Sequence, residues 1–193
     1  MSLITFSIYC IGYYLLHSLL ATNFIKDQLD FRWYRISYNI IAIVTIIPIV
    51  ITLVRSAQTS MHLHWLFQLI GILFILFGVI IQRASFKSFS KSVFLGLRQE
   101  VATDQNLVLK GLYASVRHPL YFGALMMIIG VIMIFPNSYF LIFATISLTY
   151  IIIGSRIEEN KLMVLNPEYR DYRKSVPGII PYKKPMQFLL ALV

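Results

Sequence analysis

Apolar positions along this chain are gathered into long blocks separated by short polar stretches, without the period of two that marks a half-buried strand. Five blocks stand out, at 3–21, 36–54, 65–81, 119–135 and 139–154. Each is long enough to cross a hydrocarbon core about 30 Å thick as a helix, the last two at the short end. The first block has no basic leading region and no small-residue cleavage site, so it reads as a retained helix and not a signal peptide. Pro136, Asn137 and Ser138 separate the last two blocks, and a turn this tight makes them an antiparallel hairpin. Between the third and fourth blocks, 83–94 sets Phe86, Phe89, Val93 and Phe94 against Lys87 and Lys91. That spacing predicts a short amphipathic helix lying among the lipid headgroups. The apolar end, 188–193, is too short to span and should rest on the membrane or the bundle. The expected organisation is a single membrane domain over 1–193. Its parts are three spans within 1–82, a cytoplasmic amphipathic segment and motif loop at 83–118, a helical hairpin at 119–154, and a cytoplasmic segment at 155–193.

Composition sharpens this picture. Apolar residues make up 58% of the 193 residues and charged residues 13%, with a mean hydropathy of +0.74. Soluble domains run nearer half apolar and a quarter charged. So apolar a chain needs lipid as its solvent, which excludes a secreted disulfide scaffold, a disordered tail and an ordinary cytosolic enzyme. The one cysteine, Cys10, permits neither an internal disulfide nor a cysteine-based metal site. In a soluble protein a net charge of +9 would suggest nucleic acid. Here sixteen of the seventeen Lys and Arg fall on alternate loops, with Arg55 the exception, so the charge reads as basic cytoplasmic loops and not as a nucleic-acid surface. The positive-inside rule then puts the N-terminus outside and the C-terminus in the cytoplasm. The fold expected is an all-α integral membrane protein of five transmembrane helices, with the lipid bilayer as its first partner. Nothing in the sequence specifies an oligomeric state.

Candidate chemistry is sparse, which makes it easier to locate. None of the nine glycines forms a G-x-G-x-x-G or a phosphate-cradling loop, so a soluble-type dinucleotide site is excluded. His62 and His64 share a short outer loop without a carboxylate or cysteine beside them, and read as solvated residues; no metal site is expected. Two other stretches carry more. One runs from Gly111 to Gly123 and contains Tyr113, Arg117, His118, Pro119 and Tyr121 at the entrance to the hairpin. Pro119 suits a helix's first turn, and Arg117 with His118 suits a headgroup anchor as well as a site. The other is Arg156-Ile157-Glu158-Glu159 at the hairpin's exit. Adjacent carboxylates there oppose both the helix dipole and the surface potential of an anionic leaflet, although Arg156 could pair with Glu159 one turn on. Ionisable groups at a membrane boundary are functional candidates. A hairpin brings its ends together, so Arg117 and His118 should face Glu158 and Glu159 across one small site. Such a site suits a ligand with both an amine and a carboxylate, of which S-adenosylmethionine is one. Tyr113, Tyr121, Tyr169 and Tyr172 offer aromatic faces for a sulfonium or an adenine.

These residues carry a resemblance. From 107 to 182 the chain resembles the C-terminal half of the isoprenylcysteine carboxyl methyltransferase and phospholipid methyltransferase superfamily. The features shared are Gly111, Tyr113, Arg117-His118-Pro119, Tyr121 and Gly123, then Arg156, Glu158-Glu159, Tyr169, Tyr172, Val176-Pro177 and Ile180-Pro181, in matching order and spacing. In the N-terminal half, 14–21 and 34–39 are similar to bacterial relatives, among them methanethiol S-methyltransferases and NnrU-like membrane proteins. The resemblance implies methyl transfer from S-adenosylmethionine, with the cofactor held at the cytoplasmic end of the last hairpin of a bacterial inner-membrane protein. It implies that Arg117, His118, Glu158 and Glu159 are catalytic, and that Tyr113, Pro119 and Tyr121 join them around the cofactor. Arg117 and His118 would meet the cofactor's carboxylate end, and Glu158 or Glu159 its amine or ribose hydroxyls. His17, Arg156, Tyr169 and Tyr172 are candidates on the side of the acceptor, a lipophilic or small molecule methylated at a carboxylate, thiol or amine. His17, inside the first span, serves equally well as a plain interhelical hydrogen bond. Two other classes stay open: a non-catalytic NnrU-like accessory protein, and a nicotinamide-dependent sterol-type reductase.

Overall fold

A computed structural model of the protein describes residues 1–22, 25, 31–61, 63–87 and 110–192. Five long helices dominate: α1 (Leu3–Leu20), α2 (Phe31–Ala57), α3 (Trp65–Lys87), α4 (Pro119–Ile134) and α5 (Ser138–Leu165). Two short ones follow, α6 (Tyr169–Ser175) and α7 (Pro185–Leu190), and a 3-10 turn at Gly111–Ala114 leads into α4. There is no strand among the described residues. Each of the five apolar blocks is helical. α1, α3, α5 and the Ile36–Ala57 part of α2 are long and apolar enough to cross a membrane, whereas α4, at 16 residues, is shorter.

The element ends differ from the sequence expectation in instructive ways. α5 does not stop at 154 but runs to Leu165, because no breaker intervenes before Asn166-Pro167. Its 28 residues reach about 42 Å, longer than the hydrocarbon core. Residues 83–87 continue α3 and do not begin a separate helix; the rest of the expected amphipathic helix lies outside the described residues. The hairpin turn keeps its three residues but sits one position earlier than expected, since α4 ends at Ile134 and Ser138 already belongs to α5. Asn137 caps that helix, its Oδ1 accepting from the backbone N–H of Tyr139 and Phe140 at 3.0 and 3.1 Å. Its Nδ2 donates to the Ser56 carbonyl and to Ser60 Oγ, both at 2.8 Å, which ties the hairpin tip to the end of α2.

Helices α3 and α4 run antiparallel with their backbones nearly touching. A Cβ on Gly71 would lie 2.7 Å from the Gly130 carbonyl oxygen, and one on Gly78 only 2.6 Å from that of Gly123. In each helix the two glycines are seven residues apart, two turns, so both fall on one face. Small residues are what let membrane helices approach this closely, since lipid supplies no hydrophobic force to drive them together. The seam holds the N-terminus of α4, and with it the motif loop. Gln82 fastens the same end by donating to the Leu120 carbonyl at 3.0 Å.

A second contact unites α1, α2 and α5 around Phe6, Cys10 and Ile49. The outward faces are apolar: Ile4, Ile8, Ile11, Leu15 and Leu19 on α1, and Leu66, Leu69, Leu73, Leu76 and Ile80 on α3, are all exposed. Exposed apolar stripes this long belong against lipid tails, and the protein is integral to the membrane. The C-terminal apolar segment packs on the bundle through Phe188, which is buried edge-on against Phe122 at 5.5 Å and close to Ile81 and Ala84.

Candidate active site

Three pieces of chain converge where α4 begins. The motif loop delivers Arg117 and His118, the C-terminal part of α5 delivers Glu158 and Glu159, and the segment after α6 folds back beneath them. The join between the loop and that segment is made by backbone: the N–H of Arg117 donates to the Pro177 carbonyl and that of His118 to the Gly178 carbonyl, both at 2.9 Å. Pro119 at the first position of α4 has no N–H to leave unpaired, so the helix can start abruptly after His118.

Glu159 is the hub. Its Oε1 accepts from Arg117 Nε at 2.9 Å and His118 Nε2 at 2.9 Å, and lies 2.7 Å from Arg117 Nη2. Its Oε2 meets Arg173 Nε at 3.1 Å. Arg117 spends its remaining terminal nitrogen on two carbonyls, of Arg173 at 2.6 Å and Val176 at 2.7 Å. A fork with several fixed donors suits this position in a way that a single ammonium would not. Gly178 leaves room for the fork, because a Cβ there would stand 3.3 Å from Arg117 Nη2.

Glu158, its neighbour, has a different fate. The side chain of Glu159 is 6% exposed and that of Glu158 is 51% exposed. Glu158 Oε2 accepts from the Tyr121 hydroxyl at 3.2 Å and lies 3.7 Å from His118 Nδ1. The His118 imidazole stacks on the Tyr121 ring with centroids 5.3 Å apart. Tyr113 is close enough to feel the same carboxylate: burial first, and the Glu158 charge second, push its hydroxyl well above the usual tyrosine range. Neutral rings and one half-exposed carboxylate therefore surround the mouth of the site. In the loop beneath it, Ser115 Oγ is buried and has no hydrogen-bond partner among the described residues.

The remaining sequence candidates fall elsewhere. Tyr169 is buried under the cluster, its hydroxyl pushed up to about 12 by burial first and the Glu159 charge second. Tyr172 donates to the Tyr113 carbonyl at 2.7 Å, so it props the motif loop. Arg156 is exposed and makes no pair with Glu159, because the helix turns Glu159 inward toward Arg117 and Arg173. His17 lies in the bundle, its Nε2 2.6 Å from the Tyr38 hydroxyl. Arg173, Ser115 and Gly178 join the site unforeseen. Val176-Pro177, named only within the resemblance, supplies two of the carbonyls that meet Arg117.

Fold and site together define a class. Residues 66–169, more than half of the chain and holding both motif ends of the hairpin, match the family model described as Phospholipid methyltransferase. The chain belongs to that family of membrane methyltransferases. Among curated proteins, the Protein-S-isoprenylcysteine O-methyltransferase of Xenopus laevis is 27% identical over 126 residues, 64% of this chain and 43% of the relative. A Methanethiol S-methyltransferase of Crocosphaera subtropica is 30% identical over 93 residues, 48% of this chain and 36% of its own. Another, of Pseudomonas deceptionensis, is 37% identical over 78 residues, 36% of this chain and 26% of the relative. The matched stretches thus span less than half of each relative's length. No solved structure matches the chain significantly.

Proposed function

We propose that the protein transfers a methyl group from S-adenosylmethionine to a thiol, carboxylate or amine of a lipophilic or small acceptor. In this reading all five long helices span the membrane, probed from an external N-terminus to a cytoplasmic C-terminus, and the site opens to the cytoplasm of a bacterial inner membrane. The observation that carries it is the division of labour between two adjacent carboxylates. Glu159 is consumed by Arg117, His118 and Arg173, and so frames the site. Glu158 remains half-exposed beside two neutral tyrosines, which fits the ammonium end of a zwitterion next to a sulfonium. The unpartnered Ser115 hydroxyl is a further buried polar group that a polar cofactor fits.

When bound, the cofactor supplies an activated methyl group. The protein's part is orientation and exclusion of water. Glu158 would hold the cofactor's amine and Tyr113 and Tyr121 would face its cationic sulfur, while the Arg117–Glu159–Arg173 frame keeps the motif loop and the end of α5 in register. A carboxylate acceptor needs no base; for a thiol or amine, His118 is the group placed to take the proton. The acceptor reaches the methyl group sideways, between helices.

Calorimetric titration of the purified protein in detergent tests this reading. S-adenosylmethionine should bind and NADPH should not. Glu158→Gln keeps the shape but removes the charge, and should weaken binding about ten- to a hundredfold, the worth of one charge-assisted contact. Absence of binding to the unaltered protein would overturn the reading.

A further inference from the structure

Beside the candidate site, the surface holds a patch that is apolar and basic at once. Between Tyr172 and Val193 the sequence has no Asp or Glu and four cations, Arg173, Lys174, Lys183 and Lys184. Within this stretch α7 is apolar on two opposite faces. Successive helical positions turn by about 100°, which puts Phe188 on one side and gathers Met186, Leu189 and Leu190 on the other. Phe188 is buried in the cluster that holds Leu112, Val116, Phe122, Ile81 and Ala84. The opposite face is open, with Met186 68%, Leu189 48% and Leu190 71% exposed. Ile180 and Tyr182, just before the helix, are exposed as well.

The position of this patch says which medium it meets. Phe188 packs against the turn of α3 that holds Ile81 and Ala84. Around that level the outward side of α3 changes from exposed Leu76 and Ile80 to exposed Arg83 and Lys87. That is the order of a helix passing from acyl chains into headgroups. The open face of α7 therefore continues the lipid-facing surface of the bundle at its boundary. Lys183 and Lys184 are exposed beside it, and Lys183 Nζ donates to the Lys174 carbonyl at 2.9 Å, which holds the turn against the end of α6. An apolar helical face flanked by lysines and a tyrosine belongs in a headgroup layer, and the lysines select an anionic one.

We propose that residues 180–190 form an interfacial clamp on anionic phospholipid of the membrane that houses the protein. Met186, Leu189 and Leu190 enter the acyl boundary, and Lys183 and Lys184 meet the phosphates. The clamp bears on the candidate site through two connections. Pro177 and Gly178, a few residues upstream, accept the amide hydrogens of Arg117 and His118. Phe188, on the back of α7, shares a cluster with Leu112 and Val116 of the motif loop. Seating α7 in the leaflet thus braces the loop that presents Arg117 and His118. None of this depends on which reaction the site performs.

The test uses the full chain in lipid nanodiscs, of phosphatidylcholine alone or with part of it replaced by phosphatidylglycerol. With phosphatidylglycerol present, a spin label at Leu190→Cys, in a Cys10→Ser background, should be reached by oxygen, which concentrates in lipid, and shielded from a water-soluble nickel chelate. Backbone hydrogen exchange is the second readout. Peptides covering Arg117 and His118 should exchange about five- to thirtyfold more slowly with phosphatidylglycerol than without it, the effect of one to two lysines at an anionic surface. Lys184→Glu and Leu190→Asp, both at exposed positions, should each erase that difference, while peptides from the middle of α5 exchange as in the unaltered protein. A label that the chelate reaches beside phosphatidylglycerol would mean a surface left open for a soluble partner. A label shut off from both reagents and broadened by a second spin would mean a contact between two copies. Either result overturns the proposal, and so does exchange at Arg117 and His118 that is indifferent to phosphatidylglycerol.

Discussion

At the scale of single residues, Glu158 and Glu159 show how neighbours in sequence part company in function. Successive positions on a helix point about 100° apart, so only one of them can face the loop that carries Arg117 and His118. Glu159 does, and its buried carboxylate pairs with the largely buried Arg117 and with the half-exposed Arg173. Glu159→Ala should therefore act on stability. Breaking a buried charge cluster from one side costs about 3–5 kcal/mol, because the partners are left uncompensated. Chemical unfolding in detergent should register that loss, while Glu158→Gln unfolds as the unaltered protein does. Equal losses from the two changes would contradict the separation of frame from ligand contact. The pair itself was legible in the sequence; which member turns inward was not, because that depends on the phase at which α5 meets the motif loop.

At the scale of elements, the seam between α3 and α4 decides where the site's entrance stands. Gly130→Val would push side-chain atoms into the Gly71 backbone and Ile75, neither of which can step aside cheaply. Overpacking of this kind costs about 1–3 kcal/mol. The variant should melt earlier and lose cofactor affinity as well, since α4 carries the motif loop at its N-terminus. Gly12→Val is the control: a Cβ there meets nothing within 4 Å, and melting should be unchanged. The hairpin tip invites a milder test. Asn137→Ala removes an N-cap, one bond to α2 and one to Ser60 just past it, and should cost about 0.5–2 kcal/mol for the cap alone.

At the scale of the whole molecule, lipid on the outside and charge at one end organise everything else. The same asymmetry of Lys and Arg that predicts orientation also gathers the site's cations on the side where a polar cofactor would be found. Reporter fusions at Ser60 and at Asn137 should read external, and a fusion at Lys183 should read cytoplasmic. A reversed pattern would separate the site from its cofactor supply and would count against the proposed function as a whole.

Composition and block pattern by themselves determined that the chain is a helical membrane protein, because a chain with so few charges has no soluble solution and because 3.6-residue helices are what satisfy backbone groups in lipid. Motif spacing likewise put Arg117-His118 and Glu158-Glu159 at the two ends of one hairpin. The tertiary structure alone decided what those ends do on meeting. Arg117 looked in sequence like a free cation waiting for a carboxylate ligand, and the fold gives its nitrogens to Glu159 and to carbonyls of Arg173 and Val176. Arg156 could have paired with Glu159 one turn on, and helix phase turns it to the outside. In the tail from Arg173 to Gly178 the sequence marked Val176-Pro177 only through the resemblance, because apart from the Arg173 guanidinium its contribution is made by backbone carbonyls, which every residue has and no side-chain pattern announces.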